Sequence, residues 1–369
     1  MMFKMFHVKH WKGNIMSYYY DFNNDFEKYN DAWCYIIIGG RKRGKTYSVL
    51  RNCYLNKRKF TFVKRTNNDV NLICGAGIKG DIEVDLSPFK PVNRDLKCNV
   101  KAKKLFDGVG AFFDCDSENN IQGQPIGYIL SLNAVSKMKG IGIDECDWMI
   151  FDEFVPQPWD KVNRKEGEQI LDLYVTQNRD REHRGLKEVK LIALANATSI
   201  NNKLMEILEL TDVVADMNNN DKHFYYDDTR NIMIHLLANA DEFYNNESNT
   251  KIFKAMIGTK WHSVVYENMF AYDDFSSVKN QSIKGYNCII CVKNKENLYY
   301  IYRKNDMYYM TTSRGNYNTI YDFNKENDQK RFYSEWYIKL REAVINERMF
   351  FSKFSMYDII VNFKNYFKI

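Results

Sequence analysis

Residues 39–46 read Gly39-Gly40-Arg41-Lys42-Arg43-Gly44-Lys45-Thr46, which fits the spacing G-x-x-x-x-G-K-[ST]. The chemistry this order serves is the binding of a phosphate chain. Glycines let the backbone curl until successive N–H groups face one anion, and the helix that follows adds the partial positive charge of its N-terminus. Lys45 then reaches the β- and γ-phosphates, and the Thr46 hydroxyl binds Mg²⁺. A basic glycine turn between a strand and a helix is the plainer reading of the same residues. The flanks decide against it, because Ile36-Ile37-Ile38 ends a buried strand and Tyr47 and Leu50 open a helix. All eight positions are therefore the candidate nucleotide-binding set.

A second group with chemical potential is Trp148-Met149-Ile150-Phe151-Asp152-Glu153-Phe154. An apolar run of this kind reads as a buried parallel strand, and two carboxylates at its C-terminal end stand where open α/β sheets bind ligands. Asp152 is the candidate metal ligand, and Glu153 is the candidate general base that polarises an attacking water. A plain strand exit is the alternative, weakened by the phosphate loop upstream. Further on, a predicted helix over 165–178 runs into Asn178-Arg179-Asp180-Arg181-Glu182-His183-Arg184-Gly185. That stretch is either a solvated turn or the source of an arginine finger, a cation offered to the cleft of a neighbouring subunit. The apolar segment Val189–Thr198 predicts another buried strand ending at Asn196, whose amide could orient the lytic water or simply cap the strand.

These residues need a sheet to hold them. Strands are predicted at Cys34–Ile38, at Lys59–Val63 ending in Lys64-Arg65-Thr66, at Lys104–Phe106 and at Gly127–Leu132. Lys64 and Arg65 stand at a strand's C-terminal end, so nucleotide, DNA and a solvated loop are all readings for them. From about 212 to 284 the pattern weakens between asparagine-rich breaks and reads as a linker with a small helical subdomain. Beyond 285, Tyr286–Lys293, Leu298–Arg303 and Met307–Thr312 predict a β-meander, and two helices over 326–348 and 355–367 close the chain. With 369 residues there is room for two domains. The boundaries expected are 1–215 for a nucleotide-binding domain (1–16 flexible, with Met1 and Met16 both open as the true start), 216–284 for the linker and 285–369 for a C-terminal domain.

Composition narrows the class. A hydrophobic share of 45% with 27% charged residues is that of a globular protein, and the 26 Tyr and 24 Phe predict aromatic-rich cores. The net charge of +6 permits a polyanionic partner without requiring one. No run of 18 apolar residues predicts a membrane span. The eight cysteines are scattered, which suggests a reducing cytosol, and the one C-x-x-C (Cys288, Cys291) sits in an apolar run that reads as a buried strand rather than a zinc or redox site.

Taken together, Gly-Gly-Arg-x-x-Gly-Lys-Thr, a strand ending Lys-Arg-Thr, Met149–Phe154 and the strand ending Ala195-Asn196-Ala197 resemble a phage genome-packaging ATPase. The large terminases share the arginine at Arg41. The run from Phe151 through Asn178-Arg179 to Ala197 is closer to the DNA encapsidation ATPase of small short-tailed phages (Picovirinae-type podoviruses). The likeness is strong over about 34–200 and weaker but colinear beyond.

The resemblance implies an α/β P-loop NTPase core of the additional-strand, conserved-glutamate (ASCE) type with a mainly parallel sheet. It also implies an RNase H-like, nuclease-derived α+β domain at the C-terminus. It implies ATP and Mg²⁺ as cofactors, with Arg41 as an extra cation in the phosphate loop. Further implications are a homo-oligomeric ring, usually a pentamer, docked on the portal of a prohead in the host cytoplasm and absent from the mature virion. There it would thread double-stranded DNA, in part of the family with a structural packaging RNA between motor and capsid. The family's trans-acting arginine lies at a helix end that here reads Gln177-Asn178-Arg179-Asp180-Arg181, so Arg179 and Arg181 are the candidates, with Arg184 a third. The first long strand of the C-terminal domain carries no carboxylate, so nuclease activity is not expected. A helicase-like DNA-linked ATPase, and a scaffold that binds ATP without hydrolysing it, are the alternatives.

Overall fold

The buried strand that ends at Ile38 sits in the interior of a nine-stranded sheet. The computed structural model describes residues 19–75, 85–137, 142–157, 160, 162–238, 245, 247–266, 270, 273 and 275–367. The amino-terminal arm and its two candidate starts lie outside them. The chain divides into two compact units, Met1–Thr198 with Lys222–Phe270, and Ser199–Asp221 with Ala271–Ile369.

In the first unit the strands are β1 (Cys34–Ile38), β2 (Phe60–Lys64), β3 (Val100–Phe106), β4 (Val109–Asp114), β5 (Gly127–Ser131), β6 (Trp148–Asp152), β7 (Lys190–Ala195), β8 (Phe224–Asp227) and β9 (Ile232–Leu236). Their order in the sheet is β3-β4-β5-β2-β6-β7-β1-β9-β8. The six strands from β5 to β9 across the centre run parallel, and β3, β4 and β8 extend the sheet antiparallel at its edges. All five residues of β1 are buried, as a central parallel strand covered on both faces requires. The helices of this unit include α1 (Phe22–Lys28), α2 (Lys45–Leu55), α3 (Asn67–Ile73), α4 (Lys90–Leu96) and α5 (Glu166–Gln177). The core is aromatic-rich, with Phe22, Tyr35, Phe60, Phe62, Phe112 and Trp148 among its buried residues.

Sequence reasoning misplaced one region. The span 216–284 does not form a linker body of its own. Phe224–Asp227 and Ile232–Leu236 form β8 and β9, and β9 pairs parallel with β1 along its whole length. The turn between them is closed by Asp227, which accepts from the N–H groups of Thr229 and Arg230. Helices at Lys251–Met256 and Lys260–Tyr266 supply the helical character that was expected.

The second unit holds a five-stranded sheet, β13-β10-β11-β12-β14, made of β10 (Asn287–Asn294), β11 (Asn297–Lys304), β12 (Met307–Thr311), β13 (Thr319–Asp322) and β14 (Met349–Phe351). The first three are the antiparallel meander read from the sequence, and both outer strands pair parallel with their neighbours. Cys288 and Cys291 lie in β10 as free thiols. The terminal helices cover one face, where Ile290, Ile301, Met310, Phe332, Leu340, Ile360 and Phe363 are fully buried.

Candidate functional site

The C-terminal ends of β1, β6 and β7 and the start of α2 surround a cleft of about 650 Å³ lined by residues 41–47, Arg65, Thr66, Asp152, Glu153 and Asn196, among others. Gly44 caps α2 in a left-handed conformation (φ 77°), and Lys42 is left-handed too (φ 61°), which gives the loop the curl its sequence predicts. The loop is packed from outside by segments far away in sequence. A Cβ on Gly40 would stand 2.7 Å from the Val265 carbonyl oxygen, so close approach excludes any side chain there.

Lys45 is buried, and its ammonium donates to the Gly39 and Gly40 carbonyls (2.9 and 2.8 Å) and to Asn196 Oδ1 (3.3 Å). Burial brings it down to about 7; Arg43 and Arg41 push the same way, and Asp152 and Glu153 push against it. A buried ammonium supported chiefly by neutral carbonyls is one that an anion would stabilise. Arg41 lines the same cleft, and its buried Nε has no hydrogen-bond partner among the described residues. Lys42 and Arg43 bond elsewhere, Lys42 to Glu247 (2.9 Å) and Arg43 to the Ala238 carbonyl (2.8 Å). These bonds brace the loop, and both residues also line the cleft.

The Thr46 hydroxyl donates to Asp152 Oδ1 at 2.8 Å, so the two expected metal ligands are already in contact. Glu153 follows β6 with φ 58°, a left-handed backbone uncommon for a glutamate and found at constrained sites. Lys64, at the end of the neighbouring β2, bridges Asp152 Oδ2 (3.1 Å) and Glu153 Oε2 (2.9 Å). The Lys64 ammonium holds the Glu153 carboxyl below its usual range, against the opposing effect of burial. Burial acts against the charge on Lys64, but Asp152 and Glu153 together outweigh it and hold that ammonium above its usual range. Beside it, Arg65 grips the buried Glu166 at the start of α5 (Nε to Oε2, 2.7 Å; Nη2 to Oε1, 3.1 Å) and donates to the carbonyls of Glu153 and Phe154. The pair Lys64-Arg65 thus belongs to the site. The sequence signal was its place at a strand end; its partners could not be read from that.

The arginine candidates separate cleanly. α5 starts beside Arg65 and runs back along the sheet, and its last residue, Gln177, donates to the carbonyls of Cys146 and Trp148 at the beginning of β6. The stretch after it therefore lies at the opposite end of β6 from Glu153, roughly 17 Å away for five strand residues. Arg181 is 2% exposed there, and its guanidinium donates to the carbonyls of Lys187 (2.7 Å), Asp144 (2.5 Å) and Cys146 (3.2 Å) and to Asp147 Oδ1 (2.7 Å). That corrects the expectation for Arg181: it is a buried staple, with four of its five N–H groups engaged inside its own subunit. Arg184 pairs with Asp144. Arg179 has the most exposed side chain of the three, 74% against 49% for Arg184, with Asp180 beside it at 3.4 Å.

The groups present fit a triphosphate and a divalent cation: a glycine-curled loop at a helix start, a buried ammonium without a salt bridge and an arginine Nε without a hydrogen-bond partner among the described residues, and a hydroxyl and carboxylate side by side. No family model matches the chain, and no curated protein matches it. Among solved structures it is similar to a chain of the bacteriophage Phi-29 viral genome packaging motor assembly, at 17% identity and a TM-score of 0.61, over 95% of this chain and 98% of that one. The fold is that of a phage packaging-motor chain. A chain of the Phi-28 gp11 DNA packaging motor gives the same answer, at 15% identity and a TM-score of 0.58 over 95% and 98% of the two chains. The likeness spans both units, so it covers the second sheet as well as the sheet that carries the glycine-rich loop. Among the described residues no helix is long and apolar enough to cross a membrane.

Proposed function

We propose that this protein is the ATPase of a viral DNA-packaging motor, coupling ATP hydrolysis to the movement of double-stranded DNA through a portal into a prohead. The observation that carries the proposal is the convergence of Lys45, Thr46, Asp152, Glu153 and Asn196 on one cleft, in a chain whose fold matches packaging-motor chains from end to end. Gly39 to Thr46 would hold the phosphates as a P-loop in an ASCE-type core, with Lys45 and Arg41 as the cations. Thr46 and Asp152 would hold Mg²⁺, which would supply charge neutralisation at the phosphate oxygens. Glu153, kept ionised by Lys64, accepts the proton that the attacking water gives up. Asn196 steadies the Lys45 ammonium and faces the same space as Glu153.

Arg179 supplies the trans-acting cation in this reading. Its position at the far end of the sheet from its own Glu153 suits service to a neighbour's cleft, which requires a homo-oligomeric ring, a pentamer by resemblance. The second unit is read as an RNase H-like domain without nuclease activity, because β10 carries no carboxylate. DNA, portal and, in some relatives, a packaging RNA are the partners, met in the host cytoplasm at the prohead. The test is Glu153→Gln beside wild type under saturating Mg²⁺. ATP should bind both proteins alike, and turnover by the variant should fall by about 10²-fold or more. Wild-type turnover in Glu153→Gln would remove this carboxylate, and with it the proposed chemistry.

A further inference from the structure

We propose that a groove in the helical cover of the second unit docks an amphipathic helix of another protein, one whose apolar stripe is flanked by acidic side chains. Every residue of the groove belongs to that unit, and the proposal owes nothing to the ATP reading. Residues 326–345 contain neither proline nor glycine, so nothing in the sequence breaks a helix there. The helix is not uniform, however. α-Helical stretches at Glu326–Phe332 and Ile338–Ile345 are joined by a π-helical turn, Tyr333–Tyr337. Such turns are rare and found frequently at functional sites. Phe332, Tyr337, Leu340 and Ala343 turn into the core. Ile338 and Ile345 do the opposite, 58% and 70% exposed. Seven residues apart, they stand on one side of the helix, about 10 Å from each other along its axis. Helices Phe354–Val361 and Phe363–Phe367 follow, and between them and the longer helix runs a groove of about 560 Å³ whose lining includes Tyr337, Ile338, Ile345 and Val361. The Arg341 guanidinium donates to the Val361 carbonyl (2.8 Å) and to the Tyr337 hydroxyl (3.2 Å), which ties the two walls together.

The chemistry of the groove selects its occupant. A nucleic-acid base finds no platform, because Tyr333 and Tyr337 are stacked on each other (5.2 Å, 22°) and the Lys364 ammonium sits 5.1 Å from the Tyr333 ring centre. Tyr337 is besides only 3% exposed. What stays open is aliphatic, and it gains by burial rather than by stacking. Two isoleucines at i and i+7 match the spacing by which a helix lies in a groove and presents anchors at i, i+3, i+4 and i+7. Charge then sets the flanks. Among the described residues that line the groove, Arg341 and Lys364 are cations and Glu342 is the one carboxylate. Lys339, exposed and next to Ile338, adds a third positive charge. An excess of cations around an apolar floor favours acidic flanks on the incoming helix. It disfavours a second copy of the same groove, which would set like charges against each other.

The experiment uses the full chain and two designed helical peptides of about 20 residues, long enough to hold a helix in water. Both carry the same leucine stripe; one is flanked by glutamates and the other by lysines. Their binding is measured by fluorescence anisotropy to wild type, to the double variant Ile338→Ser/Ile345→Ser and to Lys364→Glu, with melting curves to confirm equal folding. Wild type should bind the glutamate-flanked peptide at least about 10-fold tighter than the lysine-flanked one. The double variant should weaken that binding by about 10-fold or more, and Lys364→Glu should narrow the gap between the peptides. Should the double variant melt lower, the charge comparison in Lys364→Glu carries the test alone. Equal affinity for the two peptides, no binding of either, or undiminished binding by a well-folded double variant would overturn the proposal. Self-association of wild type in mass photometry, lost in the double variant, would give the groove to a second copy and overturn it too. So would binding of an RNA hairpin or duplex DNA that the double variant loses.

Discussion

Replacing Arg181 by methionine distinguishes a structural arginine from a catalytic one. Methionine keeps much of the volume and removes every donor. Of the four acceptors served by the guanidinium, Asp147 has a side chain 49% exposed and regains water, and the Cys146 carbonyl keeps the Gln177 amide at 2.9 Å. The Asp144 and Lys187 carbonyls lose the donors that Arg181 gives them. At about 1–2 kcal/mol for each acceptor left unmet, the cost is about 2–4 kcal/mol. For a folding unit of this size that lowers the melting temperature by roughly 5–15 °C. Arg179→Ala, on an exposed side chain, should change stability by less than about 0.5 kcal/mol. Thermal melts of both variants, followed by circular dichroism, make the comparison. A wild-type melt for Arg181→Met, with ATP turnover lost only in the assembled ring, would refute the assignment of Arg181 as a staple.

Two other perturbations probe different parts of the molecule. Gly40→Ala must displace either the loop or the Val265 carbonyl, which would be 2.7 Å from the new methyl; nucleotide affinity should fall by about 10-fold or more, and wild-type binding would show that the covering segment yields freely. In the second unit, burial raises Asp273 to about 6, although the Ile200 N–H and the Ser199 hydroxyl favour its charged form. Because the folded pKa lies above the unfolded one, the native state keeps a proton that the unfolded chain has already released. Stability should therefore fall as pH rises from about 4 to 6, by up to about 3 kcal/mol, and Asp273→Asn should flatten that slope in urea titrations. An equal slope in the variant would contradict this.

What the sequence made legible was whatever depends on local order. The order strand, glycine turn, helix over residues 34–55 and the buried strand that leads into Asp152-Glu153 are where the pattern put them. The meander of the second unit was equally plain, because alternation and Asn/Lys turns mark it residue by residue. What escaped depends on contacts between distant segments. Phe224–Leu236 follows an asparagine-rich break and reads as linker, yet β9 gains its place by pairing with β1, about 200 residues earlier. Lys64 was visible as a basic strand end, but its bridge across Asp152 and Glu153 exists only because β2 and β6 are neighbours in the sheet. Arg179 and Arg181 are two residues apart and look alike on paper. A difference of burial, 2% for Arg181 as a whole against 74% for the Arg179 side chain, assigns them different work.

The most direct measurement of the central claim is displacement of a triplex-forming oligonucleotide from duplex DNA, read together with ATP turnover in the same reaction. A motor built on this cleft should strip the third strand only with ATP and Mg²⁺, should turn over ATP faster when duplex is present, and should do neither as Glu153→Gln. ATP hydrolysis that is indifferent to duplex DNA and never displaces the third strand would contradict the account.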